Sequence, residues 1–121
     1  MDAYIAPVNP SVCPKHGDYG RVRYLAYTST VNLLDFSACT VPWSFVGRTD
    51  LADEPSGERD AAGDPIPAPT CDLDRRIREN YDPLVYEGLP VSFQVVARKL
   101  EEEKVIAIAH VLEKLKLASG V

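Results

Sequence analysis

Val91-Ser92-Phe93-Gln94-Val95-Val96-Ala97 is a β-branched, apolar run introduced by Gly88 and Pro90. Such a run reads as an interior strand, because side chains on both faces are built to be covered. A helix follows at once over residues 100 to 117. Val105, Ile108, Ala109, Leu112 and Leu115 fall on one face, while Glu102, Glu103, His110, Glu113 and Lys114 fall on the other. Glu101, Glu102 and Glu103 occupy the first turn, where the helix dipole favours negative charge. Lys114 and Lys116 occupy the last turn, where it favours positive charge, and Gly120 ends the helix. A strand feeding straight into an amphipathic helix is half of an α/β unit.

Two upstream segments supply candidate partner strands. Asp2 to Val8 is a short apolar run closed by Pro7 and Pro10, and it reads as a buried strand of about six residues. Ala38-Cys39-Thr40-Val41 leads into Pro42, Trp43 and Phe45 and reads as another strand, with aromatic residues near its end. Between them, after a turn-rich loop from Asn9 to Gly20, Tyr24, Tyr27, Val31 and Leu34 place one apolar stripe on a helix. Leu73, Ile77 and Tyr81 mark a further short helix, with Asp74 as cap and Pro83 as stop. Asp72, Asp74 and Glu79 alternate there with Arg75, Arg76 and Arg78, as on a solvated helix face rather than a basic patch. The expected fold class is therefore α/β, with about three strands and three helices. At 121 residues it makes one domain.

Residues 47 to 72 differ in character. Gly and Pro alternate with Asp50, Asp53, Glu54, Glu58, Asp60 and Asp64, too polar a mixture to offset the entropy of ordering it. The segment reads as a flexible acidic insertion. It lacks the Asp-x-Asp-x-Asn-Gly pattern of a calcium loop, so no metal is expected there.

Charge and cysteines exclude several classes. Eighteen Asp and Glu against thirteen Lys and Arg leave a net charge of −5, which argues against nucleic acid or an anionic membrane as partner. No apolar run approaches a membrane span, and no basic-then-apolar leader opens the sequence. Cys13, Cys39 and Cys71 are odd in number and lack paired spacing, as in a reduced, cytoplasmic setting. Cys13, His16 and Asp18 fall close together in sequence, but a plain loop is the better reading, because real triads are assembled from distant segments. Cys13-x-x-His16 has no second ligand pair for a metal. Trp43 and Phe45 read as core or interface anchors, and His110 as solvated.

Taken together, four blocks resemble a known family. Gly88 to Arg98 followed by Leu100-Glu101-Glu102-Glu103-Lys104-Val105 resembles the closing strand and helix of the amidase signature family, in its fungal acetamidase-like branch. Asp2 to Val8 resembles the strand entering the last part of that fold. Tyr27 to Asp35 with Pro42 resembles the next helix and strand, and Asn80-Tyr81-Asp82-Pro83 with Glu87-Gly88 the linker before the final strand. The resemblance implies a C-terminal fragment of the family's mixed sheet, residues 1–121 forming one partial domain. Asn32, Pro42, Gly88, Pro90 and Gln94 would be its structural motif residues.

It also implies a reaction, hydrolysis of a carboxamide to carboxylate and ammonia or amine, without metal or organic cofactor. The family performs it with a Ser-Ser-Lys triad and a glycine-rich oxyanion turn well upstream of the matched part. Unactivated amides need both an activated nucleophile and preorganised donors. No serine here stands in a Gly-x-Ser-x-Gly or Gly-Ser-Ser-Gly context. The expectation is a truncated homologue, inactive alone and with no catalytic residue of its own. The alternatives are a non-enzymatic interaction module that docks on a full-length amidase or another partner, or self-associates, and a self-sufficient small hydrolase. If the first strand lies parallel in its sheet, the loop from Asn9 to Tyr19 leaves the end where α/β folds place ligands and would help shape an acyl pocket.

Overall fold

The computed structural model describes residues 2–48 and 65–119. Among these, three strands form one sheet: β1 (Tyr4–Pro7), β2 (Ser37–Phe45) and β3 (Pro90–Ala97). The spatial order is β1-β3-β2, so the last strand in sequence is the central one. Both pairings are antiparallel, with Tyr4 opposite Val96 and Cys39 opposite Val95. Five helices accompany them among the described residues: α1 (Tyr19–Val22), α2 (Ala26–Leu33), α3 (Asp72–Glu79), α4 (Pro83–Tyr86) and α5 (Glu102–Ser119). The three helices expected from periodicity are α2, α3 and α5. The two additional ones are single turns, too short to print a periodic stripe on a sequence.

β3 behaves as an interior strand should. Val95 and Val96, on opposite faces, are both fully buried. On one face Val95 and Ala97 join Val41, Cys39 and Phe93 against Val105, Ile108, Ala109 and Leu112 of α5. This is the main apolar core. Burying a side chain of this size contributes about 1.5–3 kcal/mol. Leu115, expected on the same stripe, is 57 % exposed, because it lies beyond the part of α5 that packs on the core. The helix also starts later than the pattern suggests. Leu100 takes a left-handed φ of +63°, and Glu101 precedes the first turn. Ser37 then ties the helix start to β2, donating to a Glu102 carboxylate oxygen at 2.9 Å and accepting from the Glu101 N–H at 3.2 Å. The proposed stop at Gly120 lies outside the described residues.

The opposite sheet face is held by a polar bolt. Gln94 is 4 % exposed, and its Nε2 donates to the carbonyls of Pro7 and Tyr27, both at 2.8 Å. One buried side chain thus joins β3 to β1 and to α2. Within α2 only Val31 is buried. Tyr24 precedes the helix and stacks obliquely on Tyr27, with ring centroids 5.2 Å apart.

Several local expectations need correction. The first strand has four residues, not six, and it is a sheet edge rather than buried: its side chains alternate, and Ile5 is 57 % exposed. Asp74 does not cap α3. Cys71 does, its Sγ accepting from the Asp74 N–H, while the Asp74 carboxylate reaches back to the N–H and hydroxyl of Thr70. Pro83 stops nothing, since α3 ends at Glu79 and Pro83 opens α4, where its missing N–H costs no hydrogen bond. Phe45 is exposed at the end of β2, whereas Trp43 packs on Phe93 at 5.5 Å. Nearly all of the acidic insertion, residues 49–64, lies outside the described residues.

Candidate functional site

Where the sheet face opposite α5 runs out, near the start of β3, lies a cleft of about 1150 Å³. The stretch from Val8 to Val12 after β1 forms one wall, and Pro90 to Ser92 with Thr40 form the sheet side. Ile66 to Pro69 and the α3 residues Ile77 and Arg78 close it, with Tyr81 and Tyr86. The lining is mostly apolar with a few polar groups, the usual character of a ligand pocket.

Three polar ties hold the walls together. Lys15 Nζ sits 2.7 Å from the Asp82 carboxylate, joining the loop after β1 to the start of α4. That ammonium group holds the Asp82 carboxyl below the usual carboxylate range. Asp82 also caps α4, accepting from the Leu84 N–H at 3.2 Å. The buried Asn80 amide donates to Asp18 at 2.9 Å, which fixes the foot of α1 against the end of α3. On the far wall the Arg78 guanidinium grips both Asp74 carboxylate oxygens and donates to the Pro67 carbonyl at 2.6 Å. With Arg78 bonded to it, and Thr70 donating as well, the Asp74 carboxyl is held down to about 2.

Tyr86 is the least settled group in the cleft. It is 3 % exposed, its ring meets Tyr81 edge-on at 5.4 Å, and its hydroxyl has no hydrogen-bond partner among the described residues. Burial pushes this phenol up. The nearby Ser11 hydroxyl opposes the shift without reaching hydrogen-bond geometry. The side chain is a neutral donor across the physiological range.

The sequence-selected residues are distributed as follows. Cys13, His16 and Asp18 are not brought together. The Cys13 thiol donates to the Pro14 carbonyl, Asp18 serves Asn80 and Arg21, and His16 is exposed. All three cysteines are free thiols. No described serine is hydrogen-bonded to a lysine or histidine side chain; Ser37 holds α5, Ser11 accepts from Asn9, and Ser119 donates to the Leu115 and Lys116 carbonyls. Among the described residues no group of three His, Cys, Asp or Glu is placed to hold a metal ion. No described helix is long and apolar enough to cross a membrane.

Of the motif residues, Asn32 is exposed near the end of α2, and its carbonyl accepts the Asp35 N–H at 3.2 Å just past the helix. Pro42 lies at an irregularity of β2 where an extra residue is accommodated before Ser44. Gly88, at φ +78°, donates its N–H to the Val46 carbonyl in the turn that leads into Pro90 and β3. Gln94 is the bolt described above. The loop from Asn9 to Tyr19 does reach the cleft, although β1 is antiparallel to its neighbour and the parallel-strand argument for that placement does not hold. Tyr86 and the Lys15–Asp82 pair escaped sequence reasoning. The only available signal was Asp82 before Pro83, the signature of a capped helix start.

Known proteins resemble this chain over nearly all of its length. It is 36 % identical over 115 residues to an acetamidase of Emericella nidulans and 35 % identical over 115 residues to one of Aspergillus oryzae. It is 33 % identical over 105 residues to Amidase 2 of Gibberella moniliformis. The matches cover 95, 95 and 87 % of this chain but only 19, 19 and 18 % of those relatives, so it corresponds to about a fifth of their length. The family model for amidases matches residues 1–106, and the chain belongs to the amidase family.

Proposed function

We propose that this chain is the C-terminal part of an amidase-type sheet, a truncated homologue of enzymes that hydrolyse carboxamides, with no independent catalysis. The observation that carries the reading is the mismatch in coverage, 95 % of this chain against 19 % of the acetamidase relatives. Residues 1–121 form one partial domain in this reading, with 47–72 as an insertion. Asn32, Pro42, Gly88, Pro90 and Gln94 act in it as framework rather than as chemistry. Two of their positions support that role: Gly88 turns the chain into β3, and Gln94 bolts three elements together. The odd number of cysteines, free among the described residues, supports a reduced, cytoplasmic setting in this reading. Amide hydrolysis in this family calls for no metal or organic cofactor.

The direct test is ammonia release from acetamide by the purified chain, with no turnover above background expected. Turnover that a single serine substitution abolishes would overturn the reading.

One observation favours the second reading, an interaction module. The two flanks of α5 leave Ile106 and Leu117, and Val111 and Leu115, exposed beside the core face. In that reading one of these flanks docks on another amidase-like chain or on a second copy. Sedimentation that stays monomeric at every concentration, with no shift when a full-length amidase is added, rules it out.

A further inference from the structure

We propose that the chain forms a symmetric dimer through the flank of α5 that carries Ile106 and Leu117, with the two α5 helices antiparallel. The inference rests on the interaction-module reading and names both the flank used and its occupant, a second copy of this chain. Ile106, His110, Glu113 and Leu117 follow one another at steps of four, three and four residues, the alternation of a coiled-coil seam. Ile106 is 61 % and Leu117 76 % exposed, and the side chains of His110 and Glu113 between them also face solvent.

Self-complementarity decides the occupant. In an antiparallel coil about a two-fold axis level with the step from Val111 to Leu112, position 106 of one copy meets 117 of the other, and 110 meets 113. Each Ile106 then covers a Leu117, and each His110 faces a Glu113, so an imidazole N–H has a carboxylate to donate to. The same orientation sets Glu102 and Glu103, in the first turn of each helix, near Lys116 in the last turn of the other. It also opposes the two helix dipoles. A parallel pair would instead stack Glu113 on Glu113. The flank of Val111 and Leu115 has no such pairing, since the polar residue in line with them is Lys104, which Glu101 already engages.

The surface beside the seam suits a helix. A groove of about 490 Å³ runs along this flank, with Thr40 and Pro42 of β2 as its other bank. β2 is an outer strand of the sheet. Pro42 has no N–H to offer another strand, and its carbonyl accepts from Lys116 Nζ at 3.4 Å. That stretch of edge favours a covering helix over an added strand.

The test is sedimentation equilibrium of the full 121-residue chain. A reversible monomer–dimer equilibrium with no larger species is expected. Glu113→Lys gathers four basic groups at the axis, and His110→Glu gathers four acidic ones. Each should leave the circular dichroism spectrum unchanged and weaken the dimer at least about ten-fold. An equal mixture of the two variants should regain the original dimerisation, since each introduced charge then meets its opposite. Leu115→Lys, on the other flank, should change nothing. The proposal is overturned by a chain that is monomeric at every concentration, by association that continues past the dimer, or by a mixture that stays monomeric. A dimer that both charge variants leave intact and Leu115→Lys breaks overturns it too. Adding a full-length amidase separates this inference from the reading beneath it. A monomeric chain that binds the amidase overturns the dimer and keeps the interaction module, whereas one that binds nothing removes both.

Discussion

The two faces of the sheet are held by different physics. Against α5 the contacts are aliphatic and interlocked: Val41, Val95, Ala97 and Val105 are buried and Ile108, Ala109 and Leu112 pack on them. On the cleft side α3 buries no residue at all, and its place is fixed by Arg78–Asp74, Arg78–Pro67 and Asn80–Asp18. Apolar contact is additive and tolerant of small shifts. Hydrogen bonds and ion pairs are directional, and at a half-exposed surface each contributes little. One face is therefore built for stability, while the other holds an open cleft in shape. On that second face Gln94 is the one fully buried tie, joining β3 to β1 and α2.

This contrast can be broken from either side. The largest effect is expected at Val95→Asp, which puts an unpaired charge at the centre of the aliphatic face. Urea denaturation should show a loss of about 4 kcal/mol or more, and α5 should come away from the sheet. Next is Gln94→Leu, similar in size but without a donor. It leaves the carbonyls of Pro7 and Tyr27 unserved and should cost about 2 kcal/mol. A cost near zero would mean that water reaches both carbonyls and that β3 is less firmly tied to β1 and α2 than the bolt suggests. The smallest effect is the pH dependence contributed by Asp74 of α3. Asp74 titrates near 2, below the ordinary carboxyl value of about 3.9. Its contribution is thus fully present above pH ~4 and is lost as pH falls through about 2. Carboxyl NMR titration should find that midpoint, and Arg78→Gln should return it towards the ordinary value and loosen residues 66–69.

The same division explains what could be read from the chain alone. β3 and α5 were legible because each announces itself locally, one by a β-branched run, the other by a stripe at helical spacing. Their boundaries drifted only where Leu100 adopts a left-handed conformation, which no propensity signals. The cleft was half legible. The loop after β1 was singled out, but on the premise of a parallel neighbour, whereas β3 runs antiparallel to it. Its other wall depends on Lys15 meeting Asp82 and Asp18 meeting Asn80 across more than sixty residues of sequence. Such pairings leave no periodic trace. Cys71 as a helix cap was missed for a simpler reason: thiols are rare in that role, and Asp74 nearby is the commoner choice.

The placement of β3 between β1 and β2 has a consequence for how the molecule is made. Tyr4 and Ala38 both wait for Val96, so neither flanking strand has its partner until the residues of β3 have left the ribosome. During synthesis the early segments travel unpaired, and long-range closure of this kind is slow. A nascent chain stalled before β3 emerges would present two unsatisfied strands to any chaperone in reach, and one from which β3 has emerged would present both already paired.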